Sequence, residues 1–303
     1  MKHFVCLEQV SVEDIFAMLD LAQRIVDEPD TFRNALDGRV IGMFFQKPST
    51  RMRFAFEVGT ARAGGTTSVF RTSDLQLSRG ESVPDTARVL SHFLDAIVIR
   101  GRSHQDVQDF AQFGSIPVIN GLTAKYYPVG ALGAVYTLRK RFGDLTGLKI
   151  AFVGDGNNIA HSMMMLAPKV GMDISVITPE WYEPAVDVIE AAERFAQEAG
   201  RNLTVTNELD AVTGADVVFT DVWTSIGMED EAAERQQAFM PYQVNRQLLA
   251  RTGREPVLLH CMPVRRGEEI AADLPLDPII YENAKNLMHI AMAILIHLLK
   301  EER

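Results

Sequence analysis

Short apolar runs alternate along this chain with stretches whose apolar residues recur every three and four positions. Residues 40–45, 66–70, 96–99 and 117–120 read as strands, and 12–25 and 54–63 as helices. Strands separated by helical patterns predict parallel βαβ units, because a parallel neighbour can be reached only by a crossover. A second series opens with a strand at 149–153, the turn Gly154-Asp155-Gly156-Asn157-Asn158 and a helix at 161–170. It continues with strands at 173–177, 202–206, 215–221, 256–260 and 278–281. Two further helices, 131–142 and 284–300, are apolar on nearly every face, the mark of a helix buried between larger bodies. The expected fold is α/β: two doubly wound parallel-sheet domains linked by two crossing helices. The first domain is placed at 1–133 with the C-terminal helix 284–303, the second at 134–283.

Composition narrows the function. A chain of 303 residues suits two domains, and 47% hydrophobic with 23% charged residues is a globular balance. The net charge of −10 and the lack of any dense Lys/Arg run argue against nucleic acid as a partner, so an anionic ligand has to be held by a local pocket. The start, Met1-Lys2-His3-Phe4-Val5-Cys6, lacks a signal-peptide core, and no run approaches ~18 apolar residues. A cytoplasmic protein with no membrane partner is expected. Cys6 and Cys261 do not make a disulfide framework, and no Cys/His cluster has metal-ligand spacing. No metal and no cofactor are expected.

The most informative stretch is Lys47-Pro48-Ser49-Thr50-Arg51-Met52-Arg53, where a predicted strand gives way to a helix. Helix-start N–H groups favour anions, and an Arg fork can clasp phosphate oxygens; an ordinary Ser or Thr N-cap beside a solvated Arg is the alternative. Arg100 closes a predicted strand and offers a second guanidinium to the same anion. Gly154-Asp155-Gly156 is half of a dinucleotide fingerprint, but the third glycine is missing. Asp221-Val222-Trp223-Thr224-Ser225-Ile226-Gly227 follows a strand, where open α/β sheets bind small ligands, so Asp221 can meet an amine; a turn-forming Asp221 with a core Trp223 is the plainer reading. In His260-Cys261-Met262-Pro263, Cys261 lacks a local base motif, and a role in shaping a pocket fits better than nucleophilic attack.

Taken in order, Ser49-Thr50-Arg51-Met52-Arg53, Asp85-Thr86-Ala87-Arg88-Val89-Leu90, Gly154 to Asn158, Asp221 to Gly227 and His260 to Pro263 resemble the aspartate/ornithine carbamoyltransferase family nearly end to end. The Asp-Val-Trp loop and His-Cys-Xaa-Pro are its ornithine-type versions. The resemblance implies that Ser49, Thr50, Arg51 and Arg100 hold a donor phosphate and that Gln76 reaches a neighbouring subunit's site. It implies that Asn158, Asp221 and Ser225 hold ornithine, with Cys261 and the Met262 carbonyl beside the reacting δ-amine. It also implies a homotrimer with shared active sites, small-molecule partners (an amino acid and a phosphorylated donor) and no cofactor.

The donor side departs from the family pattern. Met52 stands for a Thr, Tyr127-Pro128-Val129-Gly130 for His-Pro-Xaa-Gln, Ala124 and Ala134 for Asp, and Leu287 for an Arg; on the acceptor side Ile226 replaces the usual Met. Tyr127 retains one donor at the His position, while Gly130 and Leu287 are expected to open space and lower polarity. Acceptor loop kept and carbamoyl cluster rebuilt predicts transfer of a different or larger group from a phosphate-bearing donor to ornithine or a close analogue, in a specialised pathway. Ordinary carbamoyl transfer to ornithine for arginine synthesis, and a non-catalytic ornithine-binding paralogue, are the alternatives.

Overall fold

Val40–Phe45 (β1) is closed to solvent over five of its six residues, as befits an apolar run with sheet neighbours on both sides. Thr66–Phe70 (β2) and Ala96–Arg100 (β3) pair with it in parallel, and Val118–Leu122 (β4) pairs with β3, giving the order β2-β1-β3-β4. The computed structural model describes residues 1–225 and 228–300. Helices Val12–Asp27 (α1), Arg51–Arg62 (α2), Val83–Leu90 (α3) and His104–Phe113 (α4) complete this layer, and α2, α3 and α4 are the crossovers between successive strands. Phe44, Ile97, Ile99, Val107 and Phe110 form one buried cluster, with the Phe44 ring 5.7 Å from Phe70 and 6.1 Å from Phe110. The Asp85 to Leu90 motif is the body of α3. Ser82 Oγ caps the Asp85 N–H at 3.2 Å, Arg88 pairs with Asp85 at 2.9 Å, and buried Thr86 donates to Glu81 at 2.7 Å.

Helix Pro128–Phe142 (α5) leads into the second sheet, built from Lys149–Val153 (β5), Asp173–Ile177 (β6), Leu203–Thr206 (β7), Val217–Thr220 (β8) and Val257–His260 (β9). All pairs are parallel, in the order β7-β6-β5-β8-β9. Asn158–Lys169 (α6), Val186–Ala199 (α7), Ala232–Phe239 (α8), Arg246–Arg251 (α9) and Ile279–Leu298 (α10) accompany them. The chain divides into a unit of Met1–Tyr136 with Lys285–Arg303 and a unit of Thr137–Ala284, so it crosses between them inside α5 and returns inside α10. Among the described residues, no helix is long and apolar enough to cross a membrane.

Three helices start earlier than their apolar periodicity predicts, each for a local reason. Ser49 Oγ accepts the Met52 N–H at 3.3 Å at the head of α2. Asn157 Oδ1 accepts from Ile159 at 3.1 Å and Ala160 at 3.3 Å, so α6 opens at Asn158 rather than 161. Pro128 begins α5, where its missing N–H costs nothing. The strand expected at 278–281 is instead the first turn of α10. Asp277 accepts the Ile279 N–H through Oδ1 at 3.0 Å and the Ile280 N–H through its carbonyl at 3.1 Å, and Pro278 sits where a helix tolerates proline.

Candidate active site

In the first unit the neighbours of β1 change direction: β2 lies on one side and β3 on the other. The carboxyl ends flanking such a switch point are where open α/β sheets bind ligands. Both arginines emerge there. Phe45 and Arg100 are register partners, the Gln46 N–H donates to the Arg100 carbonyl at 2.9 Å, and Gln46 Oε1 accepts the Arg102 N–H at 3.1 Å. This ties the loop carrying Ser49, Thr50 and Arg51 to the end of β3. Thr50 is exposed, while Ser49 and Arg51 are half-buried. Ser49 caps α2 and so also fulfils the plain N-cap alternative. Burial pushes the Arg100 guanidinium down, Arg51 pushes it the same way, and the Tyr127 phenol pulls it back up. Arg51, Arg100 and Tyr127 therefore share one electrostatic neighbourhood. Arg100 Nε is buried with no hydrogen-bond partner among the described residues, the state of a donor awaiting an acceptor.

The expected open space around Gly130 is absent. A Cβ built on Gly130 would lie 2.4 Å from Tyr127 Cε1 and 2.6 Å from Cδ1 and Cζ, so the tyrosine ring already occupies the start of that side chain. Tyr127 and Gly130 are one solution to a packing problem, in which a ring one turn of chain earlier fills the place left by the missing side chain. Leu287, 6% exposed, and Met52, 0% exposed, are core residues and not parts of an open wall. The expectation that Gly130 and Leu287 enlarge the donor pocket is corrected accordingly. Gln76 is exposed on the short 3-10 turn Gln76–Arg79.

In the second unit the order reverses beside β5, between β6 and β8. The Gly154 to Asn158 turn, the Asp221 loop and the His260 loop leave the carboxyl ends of β5, β8 and β9, with Thr220 and His260 in register. Gly156 is required: a Cβ there would sit 2.3 Å from Pro184 N, and its N–H donates to the Tyr182 carbonyl at 2.9 Å. The close approach this glycine permits is to the chain's own 182–184 segment, so the half fingerprint has a packing purpose. Asn157 Nδ2 donates to Asp221 Oδ2 at 3.1 Å, joining two of the three loops, and half-buried Asn158 follows as the first residue of α6. Ser225 is half-buried; Ile226, with Gly227, lies outside the described residues. Trp223, 1% exposed, is a core residue, as in the plainer reading of that loop.

Cys261 and Met262 are half-buried, and Met262 has a φ of 57° next to a cis bond to Pro263. Their backbone is braced by a pair that the sequence reading missed. Fully buried His260 accepts the Met262 N–H on Nδ1 at 2.6 Å, and its Nε2 faces fully buried Glu269 Oε1 at 3.2 Å. Glu269 Oε1 also accepts the Arg265 N–H at 2.5 Å. Burial raises the Asp221 carboxyl above the usual range, and nearby Glu269 adds to this, while His260, the Val222 N–H and Asn157 oppose it. Among the described residues, no three His, Cys, Asp or Glu side chains gather to hold a metal ion.

Burial pushes the neighbouring Asp155 carboxyl up to about 6, against the pull of Arg235 and with added repulsion from Asp221 and Glu231. From its unperturbed value of 3.8 up to about 6, the folded chain holds a proton that the unfolded chain has released. This group therefore lowers the unfolding free energy as pH rises through that window, and the cost is complete above it. Urea unfolding of Asp155→Asn and the parent should show the gap moving in the variant's favour between pH 4 and 7, by at most about 3 kcal/mol. A gap independent of pH would contradict this.

Comparison with known proteins matches this geometry from end to end. Residues 2–140 match the carbamoyl-P binding domain of aspartate/ornithine carbamoyltransferases, and residues 146–298 match their Asp/Orn binding domain. The chain is 42% identical to an ornithine carbamoyltransferase of Pyrococcus abyssi over 98% of its own length and 96% of that protein's. It is also 42% identical to an ornithine carbamoyltransferase of Anoxybacillus flavithermus, again over 98% and 96%. The solved structure of ornithine carbamoyltransferase from Pyrococcus furiosus superposes with a TM-score of 0.95 at 40% identity, covering 100% of this chain and 98% of that one. The doubly wound units and their loop motifs are thus those of a known group of transferases, and the chain belongs to the aspartate/ornithine carbamoyltransferase family.

Proposed function

We propose that this chain carries out ordinary ornithine carbamoyl transfer: carbamoyl phosphate and L-ornithine give citrulline and phosphate. The observation that carries this reading over a changed donor is the Tyr127 ring lying over Gly130, which fills volume that a larger group would need. Full-length similarity to proteins named ornithine carbamoyltransferase supports the same choice. In the proposed reaction the neutral δ-amine attacks the carbamoyl carbon. A C–N bond forms, the tetrahedral intermediate collapses with loss of the C–O bond to phosphate, and the departing phosphate takes the proton that the amine gives up. Ser49, Thr50, Arg51 and Arg100 hold the phosphate, and the two guanidiniums neutralise the charge that builds on it as it leaves. The Tyr127 phenol, in the electrostatic neighbourhood of Arg100, donates toward the carbamoyl group in place of an imidazole. Met52 and Leu287 serve by packing.

On the acceptor side Asn158, Asp221 and Ser225 hold the amino-acid end of ornithine, and Cys261 with the Met262 carbonyl receives the δ-amine. The His260–Glu269 brace supports this assignment, because it spends two buried polar side chains on fixing the turn that carries them. A cytosolic homotrimer serving arginine biosynthesis belongs to the same reading. Exposed Gln76 suits a residue offered to a neighbour's site, and Cys6 and Cys261, neither in a disulfide among the described residues, suit a reducing compartment. The test is citrulline formation by the purified protein from carbamoyl phosphate and ornithine, which Arg51→Ala should abolish.

A further inference from the structure

Arg235 lies in α8, outside the sequence motifs of the site, and is only 4% exposed. Its Nε donates to the Trp223 carbonyl at 2.6 Å, and its Nη2 pairs with Asp155 Oδ2 at 2.6 Å. Glu231 lies 3.4 Å from Nη1. The guanidinium carbon sits 4.8 Å from the centre of the Tyr182 ring and 5.2 Å from that of Phe239, and Phe239 in turn stacks on Trp223 at 5.9 Å. One side chain thus joins the backbone of the Asp221 to Ser225 loop to the Gly154 to Asn158 turn, and both to α8 and the 182–184 segment.

Removing a guanidinium from water is costly unless it is well paired, and an apolar residue would pack α8 at least as well. What the apolar residue could not supply is a planar fork that holds two segments at a fixed separation. Those two segments carry Asn158 on one side and Asp221 with Ser225 on the other. We propose that Arg235 is a positioning residue for the acceptor: it sets the spacing of the two backbones whose side chains hold the amino acid, and touches no substrate itself. The assignment of these segments to the acceptor rests on the reading under Proposed function. The Asn157–Asp221 bond ties the same two segments by a second, weaker route, so loss of Arg235 should loosen the pair without unfolding it.

The test compares Arg235→Lys and Arg235→Met with the parent in steady-state kinetics, thermal melting and amide hydrogen exchange. Lysine keeps the charge opposite Asp155 but cannot serve the carbonyl and the carboxylate together; methionine keeps bulk without either bond. For both variants we expect the KM for ornithine to rise at least tenfold while the KM for carbamoyl phosphate stays within about twofold. Amides in 154–158 and 221–225 should exchange faster, with the sheet amides of β5 and β8 unchanged. An ornithine KM within twofold of the parent in the folded lysine variant overturns the proposal, as does unchanged exchange in both segments. A parent protein that makes no citrulline refutes the carbamoyl-transfer reading, and the exchange measurement then decides the role of Arg235 alone. If the methionine variant does not fold, the lysine variant carries the test.

Discussion

Replacing Arg100 by methionine should lower kcat/KM for carbamoyl phosphate by about three orders of magnitude while leaving the fold intact. A preorganised donor to developing charge is worth on the order of 10²- to 10³-fold in rate, and a charged, bidentate guanidinium lies at the upper end. Stability should move the other way. Among the described residues Arg100 Nε is buried without a hydrogen-bond partner, and burial with the neighbouring Arg51 charge disfavours its cation. Methionine fills a similar volume and removes both costs, so the melting temperature should hold or rise. Circular-dichroism melts beside initial-rate measurements check both halves. A variant retaining more than a tenth of the parent's activity would mean that the phosphate is held elsewhere.

The second large effect is a coupled one. Gly130→Gln alone forces a Cβ to 2.4 Å from the Tyr127 ring, a contact relieved only if the ring moves. Overpacking of this kind costs about 1–3 kcal/mol, which for a unit of this size lowers the melting temperature by roughly 2–12 °C, and displacing the phenol should cut turnover at least a hundredfold. Tyr127→His with Gly130→Gln exchanges the phenol ring for a smaller imidazole and restores the residue types usual in the family. The double variant should recover the stability and return turnover to within tenfold of the parent. The measurement is a double-mutant cycle in both rate and melting temperature, and strict additivity of the two single changes would contradict the interlock.

Local signals carried most of the fold. The apolar runs at Val40–Phe45, Thr66–Phe70 and Asp173–Ile177 became strands with those bounds, because β-rich residues flanked by turn formers leave little choice. The error at 278–281 arose from weighing Ile279, Ile280 and Tyr281 as strand formers above the Asp277-Pro278 cap that starts a helix there. Of the site, Arg51, Arg100 and the three loops of the second unit were visible from their places after strands. What stayed hidden depends on contacts distant in sequence or on burial that residue type argues against. Arg235 reads as surface charge on a polar helix until Asp155 and the Trp223 carbonyl are seen beside it. Glu269 reads as one of two solvated acids after Gly267 until His260 meets it, nine positions back in the chain. The ring of Tyr127 over Gly130 is a local contact, but two substitutions that each look like a loss become a single exchange only in three dimensions.

The most direct measurement is citrulline formation by the purified protein with saturating ornithine and carbamoyl phosphate, run beside Arg51→Ala. A rate at least a hundredfold above that control is expected. A rate equal to the control's, with ornithine still bound by the folded protein, would contradict it and return the donor to an open question.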